Sequence, residues 1–298
     1  FRNKPSVDGI TSMVNRLNVP RWRTAYIGDS DVDAETASAA GAFAVGFTMI
    51  RRLYQTKASS RFPRNADTVE KLERTIENWL SLVDHHPRRD NGPKRLLFVR
   101  HCQSEANDQN ILASRVDYPL TTTGIRDAER LSEELSRRFD VEAVMSSPLK
   151  RARQTAQAIA AKAGVPVTTE DLLVEQELGV FSGMTYAEIA TRNDYQHDRT
   201  KRWNWQPEDG ESYGDIYDRV VRLFLTSIVS VPHSSIVCVT HAVTMRLIRA
   251  FLENSAPDYP ETIATNGEVW EVAFEKPGVT HQTREHKLLG TRRGSGRA

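Results

Sequence analysis

Apolar and polar positions follow two rhythms along this chain. In ADTVEKLERTIENWLSLV, residues 66–83, apolar side chains recur every three or four positions, the spacing of one buried helix face. The rhythm stops at DHHPRRDNGPKR, residues 84–95, where charge, two prolines and a glycine predict a linker. Strand-length apolar runs then alternate with helical stretches. RLLFV comes first, EAVMSS leads into PLKRARQTAQAIAAKAG, and SSIVCVTH leads into AVTMRLIRAFL. Ser147 is placed to cap the first of these helices, Pro148 suits its first position, and Gly164 stands where it would stop. GEVWEVAFE reads as a late strand of alternating character. Such alternation predicts an α/β fold with a mostly parallel sheet flanked by helices.

Upstream, TAYIGDSDVDAETASAAGAFAVGFT, residues 24–48, reads as a strand, an acidic turn, a helix and a second strand, a partial Rossmann-like α/β unit. The expected organisation is a first unit at 1–85, a linker at 86–93, a second unit at 94–280 and a tail at 281–298, whose TRRGSGRA end reads as frayed.

Composition narrows the classes. With 40 basic against 39 acidic residues and a net charge of +1, nothing points to nucleic acid. Runs such as LLFV and SIVCV fall far short of the roughly 20 residues of a membrane span, and the opening residues lack the pattern of a secretory leader. Two cysteines, Cys102 and Cys238, allow one bridge at most, so the expected compartment is a reducing cytoplasm. The chain opens on Phe1, from which an upstream segment is expected. Oligomeric state is open.

Three strand ends carry related chemistry. LLFV ends on Arg100 and His101, AVMSS opens a helix bearing Arg151, and SIVCVT ends on His241. In open α/β sheets ligands gather outside the carboxyl ends of strands, near helix N-termini. One strand-end Arg-His pair is a strand running into solvent; three such ends in one unit predict a cationic pocket with planar donors suited to phosphate.

The segments around these ends resemble a known family. RHCQSEAN is similar to the signature of the histidine phosphatases, the superfamily that includes phosphoglycerate mutases, where glycine usually follows the histidine. YPLTTTGIRDAERL, SSPLKRARQTA, VTHAVTMR and DGESYGDIYDRV resemble its further blocks, in order, over roughly residues 94–275. The resemblance implies that His101 attacks phosphorus and carries the phosphoryl group, that Arg100, Arg151 and His241 hold its oxygens, and that Asn107 adds a donor. No metal or other cofactor is implied for this unit. In LLVEQELGVFSG the resemblance assigns the general acid to Glu175, four residues before Gly179, and the acid's work predicts a partly apolar pocket. Glu177 is the fallback. Glu211 and Ser212 are candidates for substrate contact, with helix capping the alternative for Ser212. The implied function is hydrolysis of a small organic phosphate monoester through phosphohistidine. The alternatives are a phosphoglycerate mutase, against which the short stretch after Gly179 speaks, and a phospho-ligand binding module without turnover. Trp203 and Trp205 either wall the pocket or are simply packed.

Cys102 replaces the family's glycine. At positive φ a cysteine there would be costly; in the β region it is tolerable. A cysteine phosphatase would need a Gly-rich loop ending in arginine, which CQSEAND lacks.

In the first unit GDSDVD is not a calcium loop, because Ala34 and Ala40 stand where an EF-hand needs glycine and glutamate. The stretch resembles the fourth motif of the haloacid dehalogenase-like hydrolases, with Asp29 and Asp33 as magnesium-binding acids, and NKPSVDGI their third, with Lys4 facing phosphate. Their nucleophile is an aspartate of a DxD motif on an early central strand, upstream of everything in residues 1–85, and this sequence does not contain that strand, so this unit is expected not to hydrolyse phosphate by that route. Lacking that central strand, its sheet is expected to carry an unpaired edge and to be the less stable one.

Overall fold

The computed structural model describes residues 8–17, 24–30, 32–33, 36–37, 42–47, 65–66, 68–84, 95–228, 231–253, 255–276 and 280–289. Lys4, the linker at 86–93 and the basic end at 291–298 lie outside them. The chain divides into two compact units, one of Phe1–Arg89, Tyr213–Ser230 and Leu247–Glu261, the other of Asp90–Ser212, Val231–Arg246 and Thr262–Ala298.

In the first unit, strands β1 (Ala25–Gly28), β2 (Phe43–Phe47) and β3 (Asn65–Ala66) form a parallel sheet in the order β1-β2-β3. Among the described residues β1 therefore has a strand partner on one side only. The predicted helix forms over Val69–Asp84. Ile10 and Ala42 make a small buried cluster with Tyr26 packed against it.

The second unit is built on six strands: β4 (Arg95–Arg100), β5 (Ala143–Ser146), β6 (Val167–Thr169), β7 (Ser235–Thr240), β8 (Val269–Lys276) and β9 (Thr280–His286), in the order β6-β5-β7-β4-β8-β9. The first four strands in that order run parallel; β8 is antiparallel to β4, and β9 to β8. Leu96, Leu97, Phe98 and Val99 are all fully buried, as a central strand with both faces covered requires. One core cluster joins Leu97, Val99, Val237 and Val239 to Leu131 and Leu135 of the helix Thr122–Arg138 and Ile159 of the helix Lys150–Ala163. Each such side chain contributes about 1.5–3 kcal/mol by leaving water.

Three local expectations change. The helix after β5 begins at Lys150 with Leu149 as an N-cap that offers no side-chain bond, so Ser147 does not cap it. Gly164 does end it, in the left-handed conformation at φ 71°. Residues 269–272 of β8 are buried without alternation, so both faces of this part of the strand are covered. Its Glu271 is tolerated there by Arg95 and His286, at 3.0 and 2.9 Å. Residues 281–286, read as tail, belong to β9; the polar sequence THQTREH hides an edge strand.

Candidate active site

Register brings the three strand ends level. Arg100 pairs with Thr240 across β4 and β7, and Ser146 with Val239 across β5 and β7. The next residues of the three strands are His101, His241 and Ser147, so all three stand at one edge of the sheet. The His101 backbone N–H donates to Thr240 O at 3.0 Å and that of Ser147 to Val239 O at 3.0 Å, which continues the ladder into the site. The two imidazole rings lie 5.1 Å apart between centroids, tilted by 58°. The Nε2 atom of His241 is 2.8 Å from Ser147 Oγ, so the serine read as a cap instead holds a histidine.

His101 is buried, and its Nδ1 is 2.8 Å from the carbonyl oxygen of Cys102. A carbonyl only accepts, so Nδ1 carries the proton and Nε2 keeps its lone pair. Burial draws the His101 pKa well below its ordinary value, and the charges of Arg151 and Arg100 push the same way, while the bond to Cys102 opposes them. The ring is therefore neutral at neutral pH.

The two arginines are fixed by carbonyls. Arg151, on the helix Lys150–Ala163, donates to Ser114 O at 2.7 Å and to Val116 O at 2.9 Å. Arg100 donates through Nη1 to Ala264 O at 2.6 Å, and its Nε is buried without a hydrogen-bond partner among the described residues. Burial lowers the pKa of both guanidiniums, and in each case the negative charge of Glu175 is the largest opposing influence.

Glu175 sits at the start of the helix Ala242–Leu252. Its Oε1 accepts from the backbone of Gln176 at 3.0 Å and of Thr244 at 3.2 Å, and its Oε2 from Val243 N at 3.3 Å. Its surroundings are thus N–H groups of a helix N-terminus rather than the partly apolar pocket expected. Glu177 accepts from Ser114 Oγ at 3.1 Å, Ser182 Oγ at 3.0 Å and Gly179 N at 3.2 Å, which ties it into the loop. Glu211 pairs with Arg115 at 2.7 Å and accepts from Glu177 N at 3.1 Å. Ser212 is buried. Asn107 uses Oδ1 for Ser104 N, Ser104 Oγ and Asn266 Nδ2, which turns its amide nitrogen away from these partners.

Residues 96–285 match the family described as histidine phosphatase superfamily (branch 1). The chain belongs to that superfamily. It is 34% identical over 246 residues to the bifunctional protein Rv2228c of Mycobacterium tuberculosis, an alignment covering 80% of this chain and 60% of that protein. It is 34% identical over 158 residues to phosphoserine phosphatase 1 of Hydrogenobacter thermophilus, covering 51% and 72%. Among solved structures, the phosphoserine phosphatase of Entamoeba histolytica in complex with 3-phosphoglyceric acid aligns with a TM-score of 0.55 at 22% identity, covering 65% of this chain and 98% of that one, a likeness of fold. The chain spans about 60% of the length of the first of these relatives.

At Cys102, where the family usually carries glycine, φ is not positive, so a side chain brings no backbone strain. The thiol lies in the core beside Leu97 and Val99, the backbone N–H donates to Thr155 Oγ1 at 3.1 Å, and burial pushes the thiol pKa up to about 12. That is a packing residue and a poor nucleophile. Trp203 is buried, and Trp205 packs on Tyr195 and Phe181, centroids 5.2 and 6.1 Å away.

Sequence reasoning did not single out Ser114, Arg115, Thr244 or Asn266, all bonded to site residues. Ser114, Arg115 and Asn266 lie in stretches without a periodic signal, Thr244 sits in a helix whose pattern does not show what it bonds, and a left-handed backbone such as that of Ser114, φ 49°, leaves no mark when the residue is not glycine. In the first unit, Asp33 Oδ2 accepts from Asp29 N, Ser30 N and Ser30 Oγ, and its Oδ1 from Tyr26 OH. Among the described residues no three His, Cys, Asp or Glu side chains gather as metal ligands. Asp29 and Asp33 alone do not make a magnesium site.

Proposed function

We propose that the chain is a phosphomonoester hydrolase acting through a phosphohistidine on a small organic phosphate. The observation that carries this is the fixed tautomer of His101, whose Nε2 lone pair stands beside a second histidine and in the field of Arg151 and Arg100. Nε2 attacks phosphorus and the bond from phosphorus to the ester oxygen breaks. Arg100, Arg151 and His241 neutralise the three spread oxygens, with Asn107 as a further donor. The orphaned Arg100 Nε is a donor that a bound oxyanion would satisfy. Glu175 gives the leaving alkoxide its proton, then takes one from water as that water attacks phosphorus and the P–N bond breaks. The arginines supply the positive charge, so the step needs no metal.

Glu175 is preferred to Glu177 as the acid because its carboxyl lies in the field of both Arg100 and Arg151, the arginines proposed to hold the phosphate, whereas Glu177 faces Arg115, Ser114 and Ser182. The relatives named as phosphatases support hydrolysis over transfer. For the first unit the reading remains a partial haloacid dehalogenase-like fold without turnover of its own, holding magnesium only with ligands beyond Asp29 and Asp33. A cytoplasmic setting fits two buried free thiols.

The test is mass spectrometry of protein quenched seconds after mixing with a phosphomonoester in EDTA, beside His101→Ala. An acid-labile adduct on the wild type alone, with steady phosphate release, is expected. An adduct that only phosphoglycerate discharges would make the chain a mutase; neither adduct nor release would leave a binding module.

A further inference from the structure

Ser114 occupies a position that a serine reaches only at a cost. Its φ of 49° is left-handed, a conformation that disfavours any residue with a Cβ. It is nevertheless buried, 3% exposed, and both its carbonyl and its hydroxyl are engaged. The carbonyl accepts from Arg151 Nη2 at 2.7 Å. The hydroxyl accepts from Leu178 N at 2.9 Å, and its single proton faces Gln176 O at 2.9 Å and Glu177 Oε1 at 3.1 Å. The hydroxyl thus grips residues 176 and 178, on the loop that follows Glu175, while the carbonyl grips the arginine.

We infer that Ser114 is a positioning residue that sets the proton-donating loop of Glu175 against the phosphate-holding Arg151. Strain at a buried polar residue persists where the surroundings over-determine it, and here the surroundings are the two halves of the proposed chemistry. The left-handed turn is what lets one residue offer its carbonyl to the helix Lys150–Ala163 and its hydroxyl to the loop at once. Thr244 holds the other side of the loop, donating through Oγ1 to Val174 O at 2.7 Å. Without the Ser114 hydroxyl, Leu178 N and Gln176 O lose that partner and the loop is held only from its other sides, by Thr244, Arg115 and Glu211, whereas Arg151 keeps its carbonyl.

This inference rests on the general-acid role proposed for Glu175 and makes that dependence measurable. Removing the hydroxyl disturbs proton donation and spares charge neutralisation. The quantity to follow is kcat/KM, which for this two-step scheme ends with transfer to His101. It needs the acid when the leaving group is an alkoxide and scarcely at all when it is p-nitrophenolate.

Ser114→Gly, which relieves the left-handed strain while deleting the hydroxyl, and Ser114→Ala, which keeps the strain, are compared with wild type and Glu175→Gln on p-nitrophenyl phosphate and glycerol phosphate. The expected result is a loss of about tenfold or more on glycerol phosphate for both Ser114 variants, with p-nitrophenyl phosphate within about threefold of wild type. A purely structural serine predicts otherwise: Ser114→Gly recovers stability and treats both substrates alike. Equal effects on the two substrates, or none, in the Ser114 variants while Glu175→Gln discriminates would overturn the inference. A Glu175→Gln variant that does not discriminate would instead overturn the acid assignment and with it the inference.

Discussion

The Nδ1 atom of His101 lies 2.8 Å from the carbonyl oxygen of Cys102, so the residue that departs from the family's usual glycine is also the one whose backbone orients the nucleophile. The contact uses only the main chain of residue 102, which explains why a cysteine is accepted there: its side chain points into the core and its carbonyl does what a glycine carbonyl would.

From this arrangement follows a pH dependence. Burial first, then Arg151 and Arg100, hold the His101 pKa well below 6.5. The ring stays an available nucleophile as pH falls past 6.5, and the acid limb of kcat/KM for the free enzyme is expected below that value. The sign for stability agrees. An unfolded chain takes up a proton near pH 6.5 that the folded His101 refuses, so its contribution is whole above 6.5 and is lost as pH falls towards the folded value. A pH–rate profile decides, and an acid limb at or above 6.5 that disappears with no other change of ionisation would contradict the environment described.

Cys102 itself is expected to be silent. Its thiol is fully buried with a pKa pushed up to about 12, and burial raises that of Cys238 as well. Neither should react with an aromatic disulfide reagent in the native state, and both should react after denaturation. Cys102→Ala is expected to cost about 1 kcal/mol of stability for the small void and to keep activity within a few-fold. A loss of a hundredfold or more in kcat/KM would return the thiol to the chemistry.

Two glycines separate conformational need from steric need. Gly164 and Gly179 both have positive φ, 71° and 52°, but a Cβ on Gly164 meets nothing within 4 Å, whereas one on Gly179 would lie 1.7 Å from Glu208 O. Gly164→Ala is expected to cost about 1 kcal/mol. Gly179→Ala pays that and must also displace backbone beside Glu177, so a loss of about 3 kcal/mol or more is expected in thermal or denaturant unfolding, with activity falling too. Equal costs at the two positions would mean that the Gly179–Glu208 approach is not as tight as described.

Much of this was legible in the sequence, for identifiable reasons. LLFV, AVMS and SIVCV are apolar runs of strand length ending in polar chemistry, and a parallel sheet buried on both faces writes itself in that way. What stayed hidden depends on contacts between distant residues or on backbone angles. Ser147 reads as a cap because caps are local, yet its partner is His241, 94 residues away. The strand THQTREH is hidden by its polarity, since an edge strand needs only one apolar neighbour and gains its place from pairing with β8. The N–H cradle of Glu175 requires the helix Ala242–Leu252 to dock on residue 175, which no local pattern announces.

Glu271 offers a test in which stability and activity part. Its buried carboxylate joins three strands: Oε1 takes Arg95 Nε at 3.0 Å from β4, and Oε2 faces His286 Nε2 at 2.9 Å from β9. Arg95 opens β4 and Arg100 closes it, five residues along, so this knot lies roughly 16 Å from the site edge of the sheet. Glu271→Gln keeps the shape but not the charge and is expected to cost about 1 kcal/mol; Glu271→Ala, which strands both partners and opens a void, should cost about 2–3 kcal/mol. Arg95→Gln should cost less than about 1 kcal/mol, because the arginine side chain is 40% exposed and water replaces its partner. All three should leave kcat/KM on a phosphomonoester unchanged at a temperature where the protein is folded. Denaturant melts beside steady-state rates measure both quantities, and a variant that loses activity without losing stability would show that the hairpin β8–β9 communicates with the site along β4.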